Sequence, residues 1–255
     1  FLEFIDDIIP AVMRATGTSR PLRIIDFGSG KSYLTFALHY YFKEIKKIDA
    51  LITGLDLKKD VVAYCNKTAA ALGAEGLDFA AGDIASYADG DKADIVITLH
   101  ACDTATDYAL AYAVNCGCKA ILSVPCCQHE LNAALDKNTA DAAFAPLLKY
   151  GIIKERFAAL ATDIMRARLI KKHGYAVQIL EFIDTEHTPK NLLIRAIRHK
   201  NVDVNKTAAT AALSERDDVY ENLCRALGKR IILESLSGQP ESVKPRKEKD
   251  ADRAR

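Results

Sequence analysis

Two short segments concentrate the reactive side chains of this chain: Leu99-His100-Ala101-Cys102-Asp103 and Pro125-Cys126-Cys127-Gln128-His129. Thiols can act as nucleophiles or soft metal ligands, and imidazole or carboxylate can move a proton or orient a partner. The seven cysteines are 65, 102, 116, 118, 126, 127 and 224, and five of them fall between 102 and 127. Thiols also pack well as small apolar residues in a pocket wall. A metal reading would use Cys116-x-Cys118 with Cys126-Cys127-x-His129. These spacings miss the paired Cys-x-x-Cys pattern of zinc sites, and Cys116 and Cys118 belong at the far end of their strand, so no metal is expected.

A second set of residues follows predicted strands. Asp26-Phe27-Gly28-Ser29-Gly30 ends the first, Asp56-Leu57 the second and Gly82-Asp83-Ile84 the third, while His100 follows the fourth. Glycines let a backbone approach a ligand closely, and the N-terminus of the following helix offers N–H groups and a positive dipole. Together these tips read as a nucleotide-like site. It is not a phosphate loop: the glycine needed five positions before Gly30 is Ile25, and Asp26 would repel phosphates. Nor is it a dinucleotide fingerprint, since Tyr33 stands where the third glycine belongs. Acidic tips suit a ligand without phosphates and with a cationic end. S-adenosylmethionine (SAM) meets both conditions, with Asp56 on the ribose hydroxyls, Asp83 on the adenine amino group, Leu57 and Ile84 against the nucleoside, and His100 facing the methyl group. Asp60 and Asp107 read as helix caps or solvated acids.

The elements that must position these residues alternate. Apolar runs predict strands at 22–27, 50–55, 77–81, 94–99 and 120–124, with helices between them. A long helix with Ile153, Phe157, Leu160, Ile164 and Ala167 on its apolar face follows, then strands at 175–183 and 191–198. The short link 184–190 makes those last strands antiparallel, because parallel strands need long crossovers. The fold class is therefore α/β: a mostly parallel seven-stranded Rossmann-like sheet closed by an antiparallel hairpin, with helices on both faces, as in class I methyltransferases. Residues 1–200 form this domain, 201–237 a helical extension and 238–255 a polar, disordered tail.

With those motifs in view, the chain resembles one methyltransferase family. The resemblance rests on Asp26 to Thr35, on Gly54-Leu55-Asp56, on the His100-Ala101-Cys102 and Pro125-Cys126-Cys127 segments, and on the closing Asn191-Leu192-Leu193-Ile194-Arg195. That family includes bacterial SAM-dependent methyltransferases and the methyltransferase-like domain of eukaryotic glutathione S-transferase C-terminal domain-containing protein. The resemblance implies SAM as cofactor and methyl transfer as activity, and it implies no particular acceptor.

Candidate catalytic residues are His100, Cys102, Asp103 and Cys126. Methylation of cytosine carbon 5 needs a thiolate to add at carbon 6, a role Cys102 or Cys126 would fill. RNA enzymes of that kind carry a proline before the strand-four cysteine, where this chain has Ala101. For a nitrogen or oxygen acceptor, His100 or Asp103 would be the helper. RNA is the expected macromolecular partner, the alternatives being a protein or small-molecule acceptor or a non-catalytic binding module on the same fold. The RNA expectation rests on basic patches at Lys43, Lys46 and Lys47, at Arg166, Arg168, Lys171, Lys172 and His173, and at Lys244 to Lys249.

The net charge of +1 gives no bulk attraction to nucleic acid or membrane. No apolar run approaches the ~20 residues of a membrane span. No export signal is evident, so a cytoplasmic location and reduced thiols are expected. Phe1-Leu2-Glu3-Phe4-Ile5 reads as the middle of an amphipathic helix, which suggests that an N-terminal region is missing.

Overall fold

The computed structural model describes residues 1–87, 92–99, 101–183, 191–199 and 219–237. The expected elements form. α1 (Leu2–Thr16) precedes β1 (Leu22–Phe27), α2 (Tyr33–Tyr40), β2 (Ala50–Asp56), α3 (Lys59–Ala71), β3 (Leu77–Ala81), β4 (Ile95–Thr98), α4 (Thr104–Cys116) and β5 (Ala120–Ser123). α5 (His129–Ala134), α6 (Ala145–Leu148) and α7 (Gly151–Lys172) lead to the hairpin strands β6 (Tyr175–Glu181) and β7 (Leu192–Arg198). α8 (219–227) and α9 (Ile232–Leu236) follow.

The sheet order is β3-β2-β1-β4-β5-β7-β6. β1 pairs in parallel with both β2 and β4, and β7 lies antiparallel between β5 and β6. The chain therefore reverses its direction of travel across the sheet at β1, which opens a crevice at the carboxyl ends of β1 and β4. β4 and β5 are buried along their whole length, as expected for central parallel strands covered on both faces.

Two cores sandwich the sheet. On one side α1 lays Ile5, Ile8, Ile9 and Val12 against Leu38, Phe42 and the β1–β2 residues Ile24 and Ile52. That spacing is the apolar stripe of an amphipathic helix, as the first five residues suggested. On the other side α4 and α7 cover Ile25, Val96 and Ile121. Tyr220, Cys224, Leu227, Ile231 and Leu233 join this second core. Asn115 Nδ2 donates to Leu236 O at 3.0 Å, and Asp141 N–H donates to Ala226 O at 2.7 Å. Residues 219–237 thus share the core of the methyltransferase-like sheet, and the polar tail 238–255 lies outside the described residues.

α7 does not bury the predicted face. Ile153, Leu160 and Ile164 are exposed, whereas Ala158, Ala161, Met165 and Leu169 are buried together with Asp163 and Arg166. The stripe is rotated because the core side of this helix carries a paired guanidinium. A count of apolar residues cannot see that pairing. Among the described residues, no helix is long and apolar enough to cross a membrane.

Candidate functional site: a cleft at the β1 tip with a cysteine rim

The crevice holds a cavity of about 270 Å³, lined by Asp26, Ser29 and Leu99 and by the turn Lys31 to Leu34 that starts α2. Asp26 and Ser29 belong to the predicted ligand set, while Lys31, Ser32, Tyr33 and Leu34 enter because the loop swings them over the strand tips. Asp26 is 3% exposed. Its Oδ2 accepts from the Thr35 hydroxyl at 2.8 Å. Burial pushes its carboxyl up to about 7, against that hydrogen bond, and the nearby Asp56 charge adds to the rise.

The loop after β1 is tied to β2. Gly28 and Ser29 amides both donate to Leu55 O, and Gly30 N–H donates to Asp56 Oδ2 at 2.9 Å. Gly28 and Gly30 hold φ of 75° and 53°, the left-handed region that favours glycine. The amides of Gly28, Ser29 and Gly30 are thus satisfied inside the protein. Lys31 and the first turn of α2 line the cavity. Asp56 also accepts from Lys58 N–H at 2.9 Å, and a carboxylate with ~4 acceptor sites keeps capacity for hydroxyls.

Gly54 is a further requirement of this loop. A Cβ there would meet the Phe79 ring at 2.5 Å and Ser29 Oγ at 3.0 Å. Gly54→Ala is expected to cost about 1–3 kcal/mol of stability through overpacking and to weaken ligand binding by displacing Ser29. Gly30→Ala, with nothing within 4 Å of its Cβ, loses only what its φ demands. Thermal melts of the two variants, with and without SAM, check this. Equal losses would contradict it.

On the β3 side, Asp83 caps a short 3₁₀ turn, Ile84–Ser86, accepting from Ala85 N–H at 3.0 Å while remaining exposed. Ile84 is half-buried and packs toward the α4 core. Leu57 is largely exposed, at 69%. These three do not line the cavity around Asp26. His100 lies outside the described residues.

At the ends of β4 and β5 the two reactive segments converge. The sulfurs of Cys102, Cys126 and Cys127 all lie within 4.8 Å of one another, and Cys102 Sγ stands 3.0 Å from Cys126 Sγ. Among the described residues Cys116, Cys118 and His129 do not join this cluster, so the sequence pairing of Cys116-x-Cys118 with Cys126-Cys127-x-His129 is not formed. Burial, followed by the neighbouring thiols, pushes Cys126 up to about 12. Cys102 is raised as well, with burial again the first cause. Activated cysteine nucleophiles show the opposite shift.

Asp103 staples the two segments. Its Oδ1 accepts from His129 N–H at 2.8 Å and Glu130 N–H at 3.0 Å, and its own N–H donates to Cys127 O. It does so from φ 53°, in the left-handed region. Asp103 thus ties the two cysteine segments together through both its carboxylate and its amide.

Behind the rim lies a charge network that sequence reasoning missed. Arg166, 1% exposed, donates Nε and Nη2 to the two oxygens of Asp107 at 3.0 and 2.7 Å. Its Nη1 donates to Asp163 at 3.1 Å and its Nη2 also to Asp103 O at 2.9 Å. Gln128 Nε2 donates to both Asp163 oxygens, and its buried Oε1 has no hydrogen-bond partner among the described residues. Asp107 is therefore neither cap nor solvated, and Arg166 is not part of a basic surface. The Lys43, Lys46 and Lys47 patch is likewise paired, with Glu75, Asp6 and Glu44. Lys244 to Lys249 lie outside the described residues.

A parallel sheet that reverses at β1, an antiparallel seventh strand inserted beside the fifth, and acidic tips on β1 and β2 define the class I fold of SAM-dependent methyltransferases. The chain belongs to the methyltransferase-domain family, whose match spans residues 1–134 and includes both cysteine segments. Among solved structures it is similar to the bifunctional kinase-methyltransferase WbdD (15% identity, 77% of this chain and 38% of that chain, TM-score 0.47). It is also similar to magnesium protoporphyrin IX methyltransferase from Synechocystis PCC 6803 with bound SAH (16%, 77% and 83%, 0.45). A third likeness is to the SAM-dependent methyltransferase SibL in its apo form (16%, 75% and 54%, 0.43). The chain spans about two fifths of the length of WbdD. No curated protein sequence matches it.

Proposed function

We propose that this chain binds SAM in the cleft beside Asp26 and catalyses methyl transfer to an acceptor that enters over the rim of Cys102, Cys126 and Cys127. The observation that carries the reading is the carboxyl of Asp26. It is buried, its partners among the described residues are a hydroxyl and the like charge of Asp56, and it is raised to about 7. A cleft built around such an acid is short of positive charge, and a ligand with an ammonium and a sulfonium supplies it.

SAM, when bound, brings a methyl group already activated on sulfur. The residues need only hold the donor, orient the acceptor and keep water out. Asp26 would hold the cationic end. The acceptor sites left on Asp56 would take ribose hydroxyls. Asp83, whose Oδ1 already caps the 3₁₀ turn, would receive the adenine amino group beside Ile84 and Leu57. His100 would face the methyl group. Asp103 and Arg166 would fix the wall against which the acceptor rests. A thiolate nucleophile is not part of this reading: Cys102 and Cys126 are both raised above the ordinary thiol range, burial being the first cause, the opposite of an activated cysteine.

For the acceptor, we place a small molecule or protein ahead of RNA. The Lys43, Lys46 and Lys47 patch is paired with acids and the second patch loses Arg166 to the interior, so the expected pull on phosphates is weaker than the sequence alone suggested. Within the family we group the chain with the relatives that carry both cysteine segments, the methyltransferase-like domain of glutathione S-transferase C-terminal domain-containing protein among them. The test is transfer of radiolabelled methyl from SAM into a depleted cell extract, followed by RNase or protease digestion. We expect the label to survive RNase. Label released by RNase alone would return RNA as the acceptor, and no transfer to any fraction would remove the enzymatic reading.

A further inference from the structure

We propose that Cys102, Cys126 and Cys127 form a zinc site, binding one Zn²⁺ through three thiolates. Tetrahedral zinc–sulfur bonds of ~2.3 Å place sulfurs about 3.8 Å apart. The three sulfurs here, all within 4.8 Å and with one pair at 3.0 Å, bracket that spacing. The Cys102–Cys126 pair at 3.0 Å would widen by about 0.8 Å to reach it, whereas a disulfide requires ~2.05 Å.

The backbone holds these sulfurs together before any ion arrives. Cys102 sits after β4, and Cys126 and Cys127 after β5, so closeness in the sheet alone would leave two independent loops. Asp103 removes that independence by receiving the His129 and Glu130 amides and donating to Cys127 O. Arg166 in turn fixes Asp103 O. The left-handed backbone of Asp103 is a cost of about 1 kcal/mol or more that the surroundings must offset. It is kept at the one residue that joins the two cysteine segments.

Electrostatics points the same way. Three thiols this close cannot all ionise unless a cation compensates them, and zinc binding releases the protons to solvent. Among the described residues, no fourth histidine, cysteine or carboxylate atom lies within the same radius. Three protein ligands with one remaining position is the arrangement of open zinc sites, in contrast to the four-ligand structural kind. Zinc binding itself does not rest on the methyl-transfer reading.

The experiment uses the whole chain without SAM. It is purified in reductant, stripped with a chelator, and titrated with Zn²⁺ against a chromogenic competitor. Co²⁺ loading then reports thiolate coordination through its charge-transfer absorption. We expect one ion per chain. Cys102→Ser, Cys126→Ser and Cys127→Ser should each weaken zinc by more than the ~10–100-fold typical of residues that only orient ligands. Cys65→Ala and Cys224→Ala should bind as wild type. Zinc should also raise the melting temperature of the wild type and not of the three serine variants. Retention of full affinity by any of those three variants would overturn the site. So would absence of binding to the reduced wild type, with or without a Cys102–Cys126 disulfide found by peptide mapping before reduction. SAM titrations of the same preparations report the cleft separately, so failure of one reading is distinguishable from failure of the other.

Discussion

Asp26→Asn should lose SAM binding by about 100-fold, close to 2.7 kcal/mol, without making the chain less stable. The two effects have one cause. The folded carboxyl sits at about 7 because it is buried, against an ordinary value of 3.8. The folded state therefore holds a proton that the unfolded state has released at intermediate pH. Stability is greatest below the unfolded pKa and falls as pH rises from about 4 towards about 7, then stays low. Asparagine keeps an oxygen for the Thr35 hydroxyl and never ionises. Its melting temperature should match wild type below about pH 4 and exceed it near pH 8. Binding should run the other way. A cationic ligand needs the ionised acid, so wild-type affinity for SAM should rise from pH 6 to pH 8 while the variant stays weak and flat. Calorimetric titrations and melts at three pH values check both halves. A variant that binds within threefold of wild type would show that Asp26 does not hold the ligand.

Arg166→Leu carries the second large effect. Removing one member of a buried ion pair typically costs ~3–5 kcal/mol, because the partner is left charged and unpaired. Here Asp107 loses both of its hydrogen bonds from the guanidinium, and Asp103 O loses its donor. The chain should melt many degrees lower, and the cysteine rim should loosen. The two acids of the network are not equivalent. Burial pushes Asp163 up to about 6 despite the nearby guanidinium, and Gln128 donates to both of its oxygens. Asp163→Asn gives up less and should cost clearly less than Asp107→Asn, by denaturant unfolding at neutral pH. The reverse order would mean that the positive charge is compensated elsewhere. Combining Arg166→Leu with Asp107→Asn in one chain should recover part of the loss, since the uncompensated acid is gone.

Much of this structure was legible in the residues. The strand runs, the glycine turn after Asp26 and the short link before the last strand were enough to predict seven strands and an antiparallel closing pair, since each is a local signal with a local cause. The sequence also placed the cysteine segments at neighbouring strand ends, and that is where they meet. What it could not show was pairing across the fold. Arg166 looked like a surface charge because its neighbours Arg168, Lys171 and Lys172 are basic. Only the approach of α4 to α7 supplies Asp107. The same blindness misassigned the apolar face of α7, where Leu160 and Ile164 are exposed and a guanidinium is buried. The glycine turn was legible, but that its amides close on Leu55 and Asp56 is a backbone choice that no side-chain pattern records. Gln128 was visible as the residue after the paired cysteines. Its role as a buried donor to Asp163 was not.

Titration calorimetry of the purified chain with S-adenosylhomocysteine, repeated on Asp56→Ala, tests the cofactor cleft most directly. This product lacks the sulfonium but keeps the ammonium and the nucleoside, so its binding reads the contacts of the cleft apart from the methyl donor's sulfur charge. One site per chain, weakened at least tenfold by the substitution, is the predicted outcome. Absence of any binding to the wild type, or equal binding by both proteins, would contradict the placement of the methyl donor between the tips of β1 and β2.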